Sequence, residues 1–216
     1  MAQRQSGAGA RPAVPAKRAA SPRGGRLPRN ARRAQLLAAA LEIFVQQGYH
    51  AALMDDIAEH AGVSKPVLYQ HFPSKLELYL ALLDHHVEDL VARVRAALES
   101  TTDNRQRVRS AITTYFDFVD SEGAAYRLVF ESDLRNEPAV RERVEKAMES
   151  VVVAIAETIA TGTGVDPAEA RLLSVGLAGL AEVTARWWLA SGDSVSKDRA
   201  VELIFSLAWR GLSKTR

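Results

Sequence analysis

The chain has 216 residues, of which 47% are apolar, enough for one sizeable core or for a small domain joined to a larger one. It contains no cysteine, which excludes a disulfide-stapled scaffold, a thiolate catalyst and a cysteine-ligated metal site. The first residues lack the apolar stretch of a secretory signal, and no apolar run approaches the roughly 18–20 residues that span a bilayer. We therefore expect a cytoplasmic protein with no membrane partner.

Charge is distributed unevenly along the chain. Residues 1–33 carry nine Lys and Arg and no Asp or Glu, whereas the rest carries 19 basic and 26 acidic residues. Residues 1–27 are rich in Ala, Gly, Pro, Ser and Arg, a composition that predicts a disordered basic arm. A basic arm on an acidic body suggests that this end of the molecule meets a polyanion, and a solubilising tail is the alternative.

Beyond the arm, the apolar spacing is helical throughout and no β-alternation occurs, so the predicted fold class is all-α. The first helix is predicted over about 30–47 and should end at Gly48. Two short helices follow over about 54–61 and 65–71, separated by the turn Gly62-Val63-Ser64. The apolar stripe of the first helix is Leu37, Ala40, Leu41, Phe44 and Val45.

The sequence clearly predicts the start of a fourth helix, because Ser74 and Glu77 have the spacing of a capping box. Its apolar stripe, long enough to connect a small N-terminal domain with a larger body, is Leu76, Leu80, Leu83, Val87, Leu90, Val94 and Leu98. Five further helices are predicted over about 103–121, 124–130, from 137 onwards, 166–190 and 196–213. The total is about nine helices, three in a small domain and six in a larger one.

The segment from Leu53 to Phe72 reads LMDDIAEHAGVSKPVLYQHF, two short helices joined by a three-residue turn that contains Gly62. This is the helix-turn-helix arrangement, in which the second helix enters the major groove of DNA. Ile57, Val63 and Leu68 stand where the crossing helices would share a core, and Ser64 is placed to cap the second helix.

The segment resembles the DNA-binding domain of the TetR family of bacterial regulators. The resemblance is carried by the spacing F-x-x-x-G-Y at residues 44–49, I-A-x-x-A-G-V-S at 57–64 and L-Y-x-H-F-x-S-K at 68–75. It implies a helix-turn-helix domain over 28–75, with the motif itself over about 53–72, followed by a ligand-binding and dimerisation domain over 76–216. The sequence departs from the family pattern just before the second helix, where Leu53 and Met54 occupy positions at which members commonly have Thr or Ser.

The resemblance implies that this surface binds double-stranded DNA at a palindromic operator. Gln70 is the expected base reader, since its amide can make two hydrogen bonds to adenine, and Lys75 is expected to neutralise a phosphate. The full set of expected DNA contacts is Arg32, Ser64, Lys65, Pro66, Val67, Tyr69, Gln70, His71 and Lys75.

For the C-terminal body the resemblance implies a homodimer paired through the last two helices and a cavity for a small hydrophobic ligand. The expected dimer contacts are Leu177, Leu180, Trp188, Phe205 and Trp209. The expected ligand contacts are Tyr115, Phe116, Val119, Tyr126, Phe130 and Trp187, for which an ordinary core position is the alternative. No acid cluster that would suit a cationic ligand is present among them.

A further resemblance extends into the body. The run GVSKPVLYQHFPSKLELYLALLDHHVEDLV, then TTDNRQRV and FDFVDSEGAAYRLVFESDL, is similar to FasR-type regulators of fatty-acid synthesis in actinobacteria. This resemblance implies long-chain acyl-CoA as effector and genes of fatty-acid synthesis as targets.

Three alternatives stay open at this point. The protein could be a repressor of an efflux or catabolic operon that responds to another apolar ligand, or an architectural protein that binds DNA without sequence preference. An enzyme is disfavoured, because nucleophile-elbow, phosphate-loop and dinucleotide-binding motifs are missing. His85 and Asp89 have the spacing of two metal ligands on a helix, but no third ligand is evident, so we expect no metal site. We also expect no catalytic site and no cofactor.

Overall fold

The computed structural model describes residues 27–121, 123, 126–127, 134 and 136–211. Within them the chain is all-helical and has no strand, as predicted. The eight helices of this part are α1 (Arg29–Ala51), α2 (Met54–His60), α3 (Lys65–His71), α4 (Lys75–Glu99), α5 (Asn104–Ser121), α6 (Pro138–Thr163), α7 (Pro167–Ala190) and α8 (Lys197–Arg210). Almost all of the predicted arm, most of the helix predicted over 124–130, and residues 212–216 lie outside the described residues.

Most predicted helix ends are confirmed, and the caps explain them. The Ser74 hydroxyl accepts a hydrogen bond from the Glu77 amide (3.1 Å), and the Asp166 carboxylate accepts one from the Ala168 amide (2.8 Å). Gly48 ends the first regular helical segment as predicted, and the short helical turn that follows it was not predicted. Gly48 leaves the helical conformation with φ +76°, but the chain then makes another helical turn to Ala51, so α1 is a kinked helix.

The N-terminal three helices and the beginning of α4 share one core, which we call the head. Leu36, Ile57, Leu68 and Leu78 are fully buried in it. Val45, predicted on the core stripe of α1, is 41% exposed, because the buried face of that helix is centred on Leu36, Ala40 and Ile43.

The remaining helices form the body, in which α4 packs against α5 and α6, α6 against α7, and α5 against α7 and α8. Ion pairs reinforce this packing. Arg143 of α6 binds Asp84 of α4 (2.9 Å), and Lys197 of α8 lies between Asp117 and Asp120 of α5, 2.9 Å from each. The helix α4 therefore belongs to both the head and the body.

His86 is a buried histidine on α4 at the junction with α1. It is 8% exposed and borders a surface groove shared with Arg33, Leu37 and Leu41 of α1. Burial is the largest cause that lowers its pKa from 6.5 to about 4; neighbouring His85 and Arg93 lower it further, and Asp89 opposes them. His86 is thus neutral in the folded protein at neutral pH.

We predict that His86 makes the protein less stable in mild acid. The unfolded chain binds a proton near pH 6.5 and the folded chain only near pH 4, so the free energy of unfolding falls as the pH falls through this window. The loss should approach about 3 kcal/mol at pH 4. Chemical denaturation of His86→Leu at pH 7 and pH 4.5 should show a smaller pH dependence than the wild type.

The control is His50→Gln, at an exposed position on α1 whose side chain is not among the groups that shift the His86 pKa, and it should keep the wild-type pH dependence. Equal pH dependence in the wild type and His86→Leu would contradict the assignment.

Candidate DNA-reading surface and ligand cavity

The helix α3, the second helix of the predicted helix-turn-helix, packs against the head with its inner face and leaves its outer face exposed. Leu68 and Phe72 are buried against the head, and Gly62, with φ +63°, makes the turn that precedes the helix. Among the predicted DNA contacts, Ser64, Lys65, Pro66, Tyr69 and Gln70 are exposed, whereas Arg32, Val67, His71 and Lys75 are half-buried. The exposed residues form a continuous surface at the edge of the head.

Ser64 precedes α3 in an extended conformation but does not cap it with its side chain, so that prediction is wrong. The amide of Val67, which would reach a capping hydroxyl, donates instead to the Ser64 carbonyl (2.9 Å). Pro66 has no amide hydrogen to offer. The Ser64 hydroxyl is therefore not used by the helix and lies on the exposed surface.

Basic residues lie near both ends of α3. Lys65 begins the helix and pairs with Asp55 of α2 (2.7 Å), a contact that raises the lysine pKa. At the other end, burial lowers the pKa of His71, and the positive charges of Arg29, Arg33 and Arg32 lower it further. Arg33 also stacks over the ring of Phe72, 4.4 Å from its centroid. Clustered positive charge beside an open helix suits a phosphate backbone.

Lys75 begins α4 and fastens that helix to the end of α1. Its ammonium donates hydrogen bonds to the carbonyl oxygens of Tyr49 (2.7 Å), His50 (3.2 Å) and Ala52 (2.9 Å). It also lies 4.6 Å from the centroid of the Tyr49 ring. An ammonium has three protons, so these contacts use its donor capacity. The phosphate contact expected for Lys75 stays a prediction, but in the free protein this residue joins two helices.

The body encloses an apolar cavity of about 280 Å³ between α4, α5, α6, α7 and α8. Its buried wall includes Val94, Leu98, Ile112, Val151 and Ile155. The volume is near the lower end of ordinary small-molecule pockets, about 300–1,000 Å³. Val94 and Leu98 bring the cavity into direct contact with α4, the helix that also enters the head.

The cavity has a polar mouth at the start of α5 and the end of α6. Arg107 donates to the carbonyl oxygens of Thr101 (2.7 Å) and Leu98 (3.1 Å) and to the Asn104 side chain (3.0 Å). Asn104 in turn donates to the Gly162 carbonyl (3.3 Å). A Cβ at Gly162 would stand only 2.8 Å from the Asn104 amide oxygen, so a larger residue at this position would displace the Asn104 side chain. A fixed positive charge therefore lies beside an apolar interior.

Of the predicted ligand contacts, the structure brings Tyr115 to this cavity. Phe116 and Val119 are fully buried in the core elsewhere, Tyr126 is buried but is not part of this cavity wall, and Trp187 is 62% exposed. Phe130 lies outside the described residues. Sequence reasoning missed the aliphatic residues of α6, although Val151, Ile155 and Ile159 recur every fourth residue.

An exposed apolar surface runs along α7. Its large members are Leu172 (74% exposed), Leu173 (51%), Val175 (51%), Val183 (53%) and Trp187 (62%), with Trp209 of α8 (44%). Around Gly176 and Gly179 an added Cβ would meet no atom within 4 Å, so the backbone is accessible there. We call this set the α7 face. Contiguous exposed apolar surfaces of this kind mark interaction sites.

The expected dimer contacts fall mostly on other faces of the same two helices. Phe205 is 2% exposed and lies beneath the guanidinium groups of Arg105 and Arg109. Trp188 packs on Phe116 and donates to the Val195 carbonyl (2.8 Å), so it is held within its own chain. Leu177 lines the cavity and Leu180 is half-buried, whereas Trp209 lines the cavity and also lies on the α7 face.

The described residues contain neither a cluster of three His, Cys, Asp or Glu side chains that could hold a metal ion nor a helix long and apolar enough to cross a membrane. A helix-turn-helix head with an open recognition helix, joined through one long helix to a body with an apolar cavity, defines the class of helix-turn-helix transcriptional regulators.

Comparisons with known proteins identify the family. Residues 36–82 match "Bacterial regulatory proteins, tetR family", and residues 104–211 match "Tetracyclin repressor-like, C-terminal domain". The HTH-type transcriptional activator FasR of Mycolicibacterium smegmatis is 52% identical over 191 residues, covering 88% of this chain and 87% of that protein. The chain belongs to the TetR family, whose members bind DNA and act as dimers, and it is a transcriptional regulator rather than an enzyme.

Solved structures agree with this fold. A TetR-like regulator from Rhodococcus sp. RHA1 has a TM-score of 0.70 at 29% identity, covering 88% of this chain and all of that one. FadR from Bacillus subtilis, solved in complex with stearoyl-CoA, has a TM-score of 0.67 over 83% of this chain and 98% of that one. At 18% identity, the FadR likeness shows the fold alone.

We predict that Gln70→Ala relaxes base preference at one operator position in each half-site. An exposed amide on the open face of α3 can discriminate adenine by about 1–3 kcal/mol. Binding titrations against operators varied one base at a time should show the wild-type preference flattened at that position. Gln46→Ala, at an exposed position on α1, is the control. A uniform loss of affinity for all sequences would show that Gln70 is not a base reader.

We predict that Lys75→Met lowers the free energy of unfolding by about 1–2 kcal/mol, because three carbonyl oxygens lose a charged donor. It should also weaken binding to specific and scrambled DNA alike. The salt dependence of binding then tests the phosphate contact: its loss makes the slope shallower by about one unit. An unchanged free energy of unfolding would contradict the role of Lys75 in joining α4 to the end of α1.

Proposed function

We propose that this regulator binds a palindromic operator as a homodimer, that a long-chain acyl-CoA controls its affinity for that operator, and that it governs genes of fatty-acid synthesis. The observation that carries the proposal is the apolar cavity whose wall includes α4, with the Arg107 charge at its mouth. Similarity to FasR over most of the chain supports it. The acyl-CoA held by a protein of the same fold, FadR, adds support for the ligand class.

The two parts of an acyl-CoA suit different regions of the cavity, because one part is apolar and the other is charged. The acyl chain enters the aliphatic interior, where burial of each methylene contributes about 0.8 kcal/mol. The anionic head group remains at the mouth beside Arg107 and Asn104. A positive charge already fixed by carbonyl oxygens attracts phosphate without the cost of ordering a free side chain.

Coupling to DNA passes through α4. Leu98 borders the cavity and Lys75 is fastened to α1, 23 residues apart, which is about 35 Å along the helix. A ligand that favours one position of α4 shifts the spacing of the two heads in the dimer. Recognition helices fit successive major grooves when they are about 34–36 Å apart, so the spacing decides the affinity. The ligand can change the populations of the two head spacings only by as much as its affinity differs between them.

The direct test is native mass spectrometry of the protein purified from a bacterial host, with lipid extraction, followed by operator binding in the presence of acyl-CoA of graded chain length. The proposal expects a dimer that binds acyl-CoA and changes operator affinity with chain length. A dimer that binds its operator unchanged with every acyl-CoA would favour the operon-repressor alternative with another ligand. Equal affinity for operator and scrambled DNA over a salt series would favour the architectural alternative.

Filling the cavity should uncouple the ligand from DNA. Ala178 is buried on its wall, and in Ala178→Phe the added ring would occupy space that the acyl chain needs. We predict wild-type operator affinity in this variant, with at least a ten-fold weaker response to stearoyl-CoA. Ala168→Phe, at an exposed position on the same helix, is the control. A full response in Ala178→Phe would place the acyl site elsewhere.

Placing a charge on the α7 face should break the dimer. We predict that Val183→Glu is monomeric at micromolar concentration by analytical ultracentrifugation, because a buried unpaired carboxylate is strongly unfavourable at an interface. Thr161→Glu, at an exposed position on α6, should remain dimeric. A dimeric Val183→Glu would show that pairing uses a different surface.

A further inference from the structure

The apolar cavity and the α7 face lie on opposite sides of the same pair of helices. The cavity is bounded on one side by α4, α5 and α6 and on the other by α7 and α8. Leu172 of the α7 face and Ala181 of the cavity wall are nine residues apart, about two and a half turns, so they project from opposite sides of α7. We call the side that α7 and α8 form the roof; its residues are Leu173, Leu177, Ala178, Ala181, Ala208 and Trp209.

Leu173 and Trp209 belong to both surfaces. Each of them lines the cavity, and each is also exposed to solvent, Leu173 by 51% and Trp209 by 44%. The other roof residues are buried or half-buried. At these two positions a single side chain therefore separates the cavity from the α7 face.

The roof of one chain is incomplete as a wall for an apolar ligand. Side chains that enclose a protein interior are normally close-packed on every side, at a density near that of an organic crystal. Leu173 and Trp209 instead have solvent on their outer side and the cavity on their inner side. Each side chain therefore lacks packing atoms in two directions, and an occupant of either side would supply them.

The α7 face is suited to a second copy of this chain. Its large members carry no charge, so burying them between two copies leaves no unpaired ion. Gly176 and Gly179 lie among them, and an added Cβ at either would meet no atom within 4 Å, so a partner helix can approach the backbone closely. Members of the family act as dimers, and a two-fold axis would bring the same face of each copy together.

We propose that the ligand cavity is complete only in the homodimer. The second copy covers the roof at Leu173 and Trp209, so that ligand binding and dimerisation strengthen each other. The inference rests on the proposed function, because it takes an acyl-CoA as the ligand of the cavity and the α7 face as the interface.

The coupling arises because both events order the same two side chains. An acyl chain contacts Leu173 and Trp209 from the inside and the second copy contacts them from the outside, so the event that comes second has a smaller ordering cost. Thermodynamic linkage then requires the two effects to match. A gain of about ten-fold in ligand affinity at each site corresponds to a dimer about a hundred-fold tighter, since a dimer has two sites.

The first test compares ligand affinity in monomer and dimer. Val183 is 53% exposed on the α7 face and does not line the cavity, so Val183→Glu should separate the copies without touching the ligand site. Calorimetry should show that this monomer binds stearoyl-CoA about ten-fold more weakly than the wild-type dimer does. Gln46→Glu is the control, because it adds the same charge at an exposed position on α1 and should keep wild-type affinity.

The second test measures the reciprocal effect. In Val183→Ala the interface loses part of a side chain, which should bring monomer and dimer into an equilibrium that mass photometry can follow. Saturating stearoyl-CoA should lower the dissociation constant of this dimer about a hundred-fold.

A matched pair of leucines locates the coupling. Leu172 is 74% exposed on the α7 face and does not line the cavity, whereas its neighbour Leu173 does both. Added to Val183→Ala, Leu172→Ala and Leu173→Ala should each weaken pairing. Only Leu173→Ala should reduce the effect of stearoyl-CoA on pairing, to about ten-fold, because Trp209 alone remains shared.

The outcomes separate this inference from the proposed function. Equal affinity of monomer and dimer for stearoyl-CoA, or a dissociation constant of the dimer that the ligand leaves unchanged, would overturn the inference and leave acyl-CoA binding intact. An equal loss of coupling in the Leu172 and Leu173 variants would also overturn it. Failure of the wild-type dimer to bind stearoyl-CoA would reject the acyl-CoA function, and this inference with it.

Discussion

The structure depends on one constraint: α4 is a single helix that is packed into both the head and the body. At its start, the Lys75 ammonium donates hydrogen bonds to carbonyl oxygens at the end of α1. The Tyr79 ring packs edge-on against the rings of Phe44 and Tyr49, with ring centroids 5.5 Å and 5.3 Å apart. Further along, Arg143 of α6 pairs with Asp84. In the proposed mechanism, a helix held at these points moves as a rod, and a displacement of its cavity end changes the position of the head. Under that proposal, ligand binding and DNA binding are coupled with no contact between the two molecules.

Local signals in the sequence were sufficient for the fold. The capping residues Ser74 and Asp166, and the glycine turn before α3, each act through neighbouring backbone atoms, so their effect follows from the order of residues. The open face of α3 was predictable because its spacing resembles a well-defined motif. The same reasoning missed the helical turn beyond Gly48 and failed at Ser64, where the Val67 amide bonds the Ser64 carbonyl and not the side chain.

The expected ligand and dimer contacts were harder to place from sequence, because both depend on which side of a helix faces which neighbour. Aromatic residues such as Phe116 and Phe205 looked suited to a pocket or an interface, yet they fill the core of a single chain. The cavity is instead lined by aliphatic residues that the sequence alone does not distinguish from core. The α7 face presents a related difficulty: the sequence makes this helix apolar on too many sides for one core, but it does not say which of its residues stay exposed in one chain. Only tertiary packing separates these cases.

The most direct test of coupling through α4 is the distance between the two heads of the dimer. The chain has no cysteine, so Glu59→Cys on the exposed side of α2 gives one spin label per protomer. Double electron–electron resonance should show one head-to-head distance without ligand and a distribution shifted by several ångströms with saturating stearoyl-CoA. An unchanged distance in a dimer that calorimetry shows to be loaded with stearoyl-CoA would contradict the account.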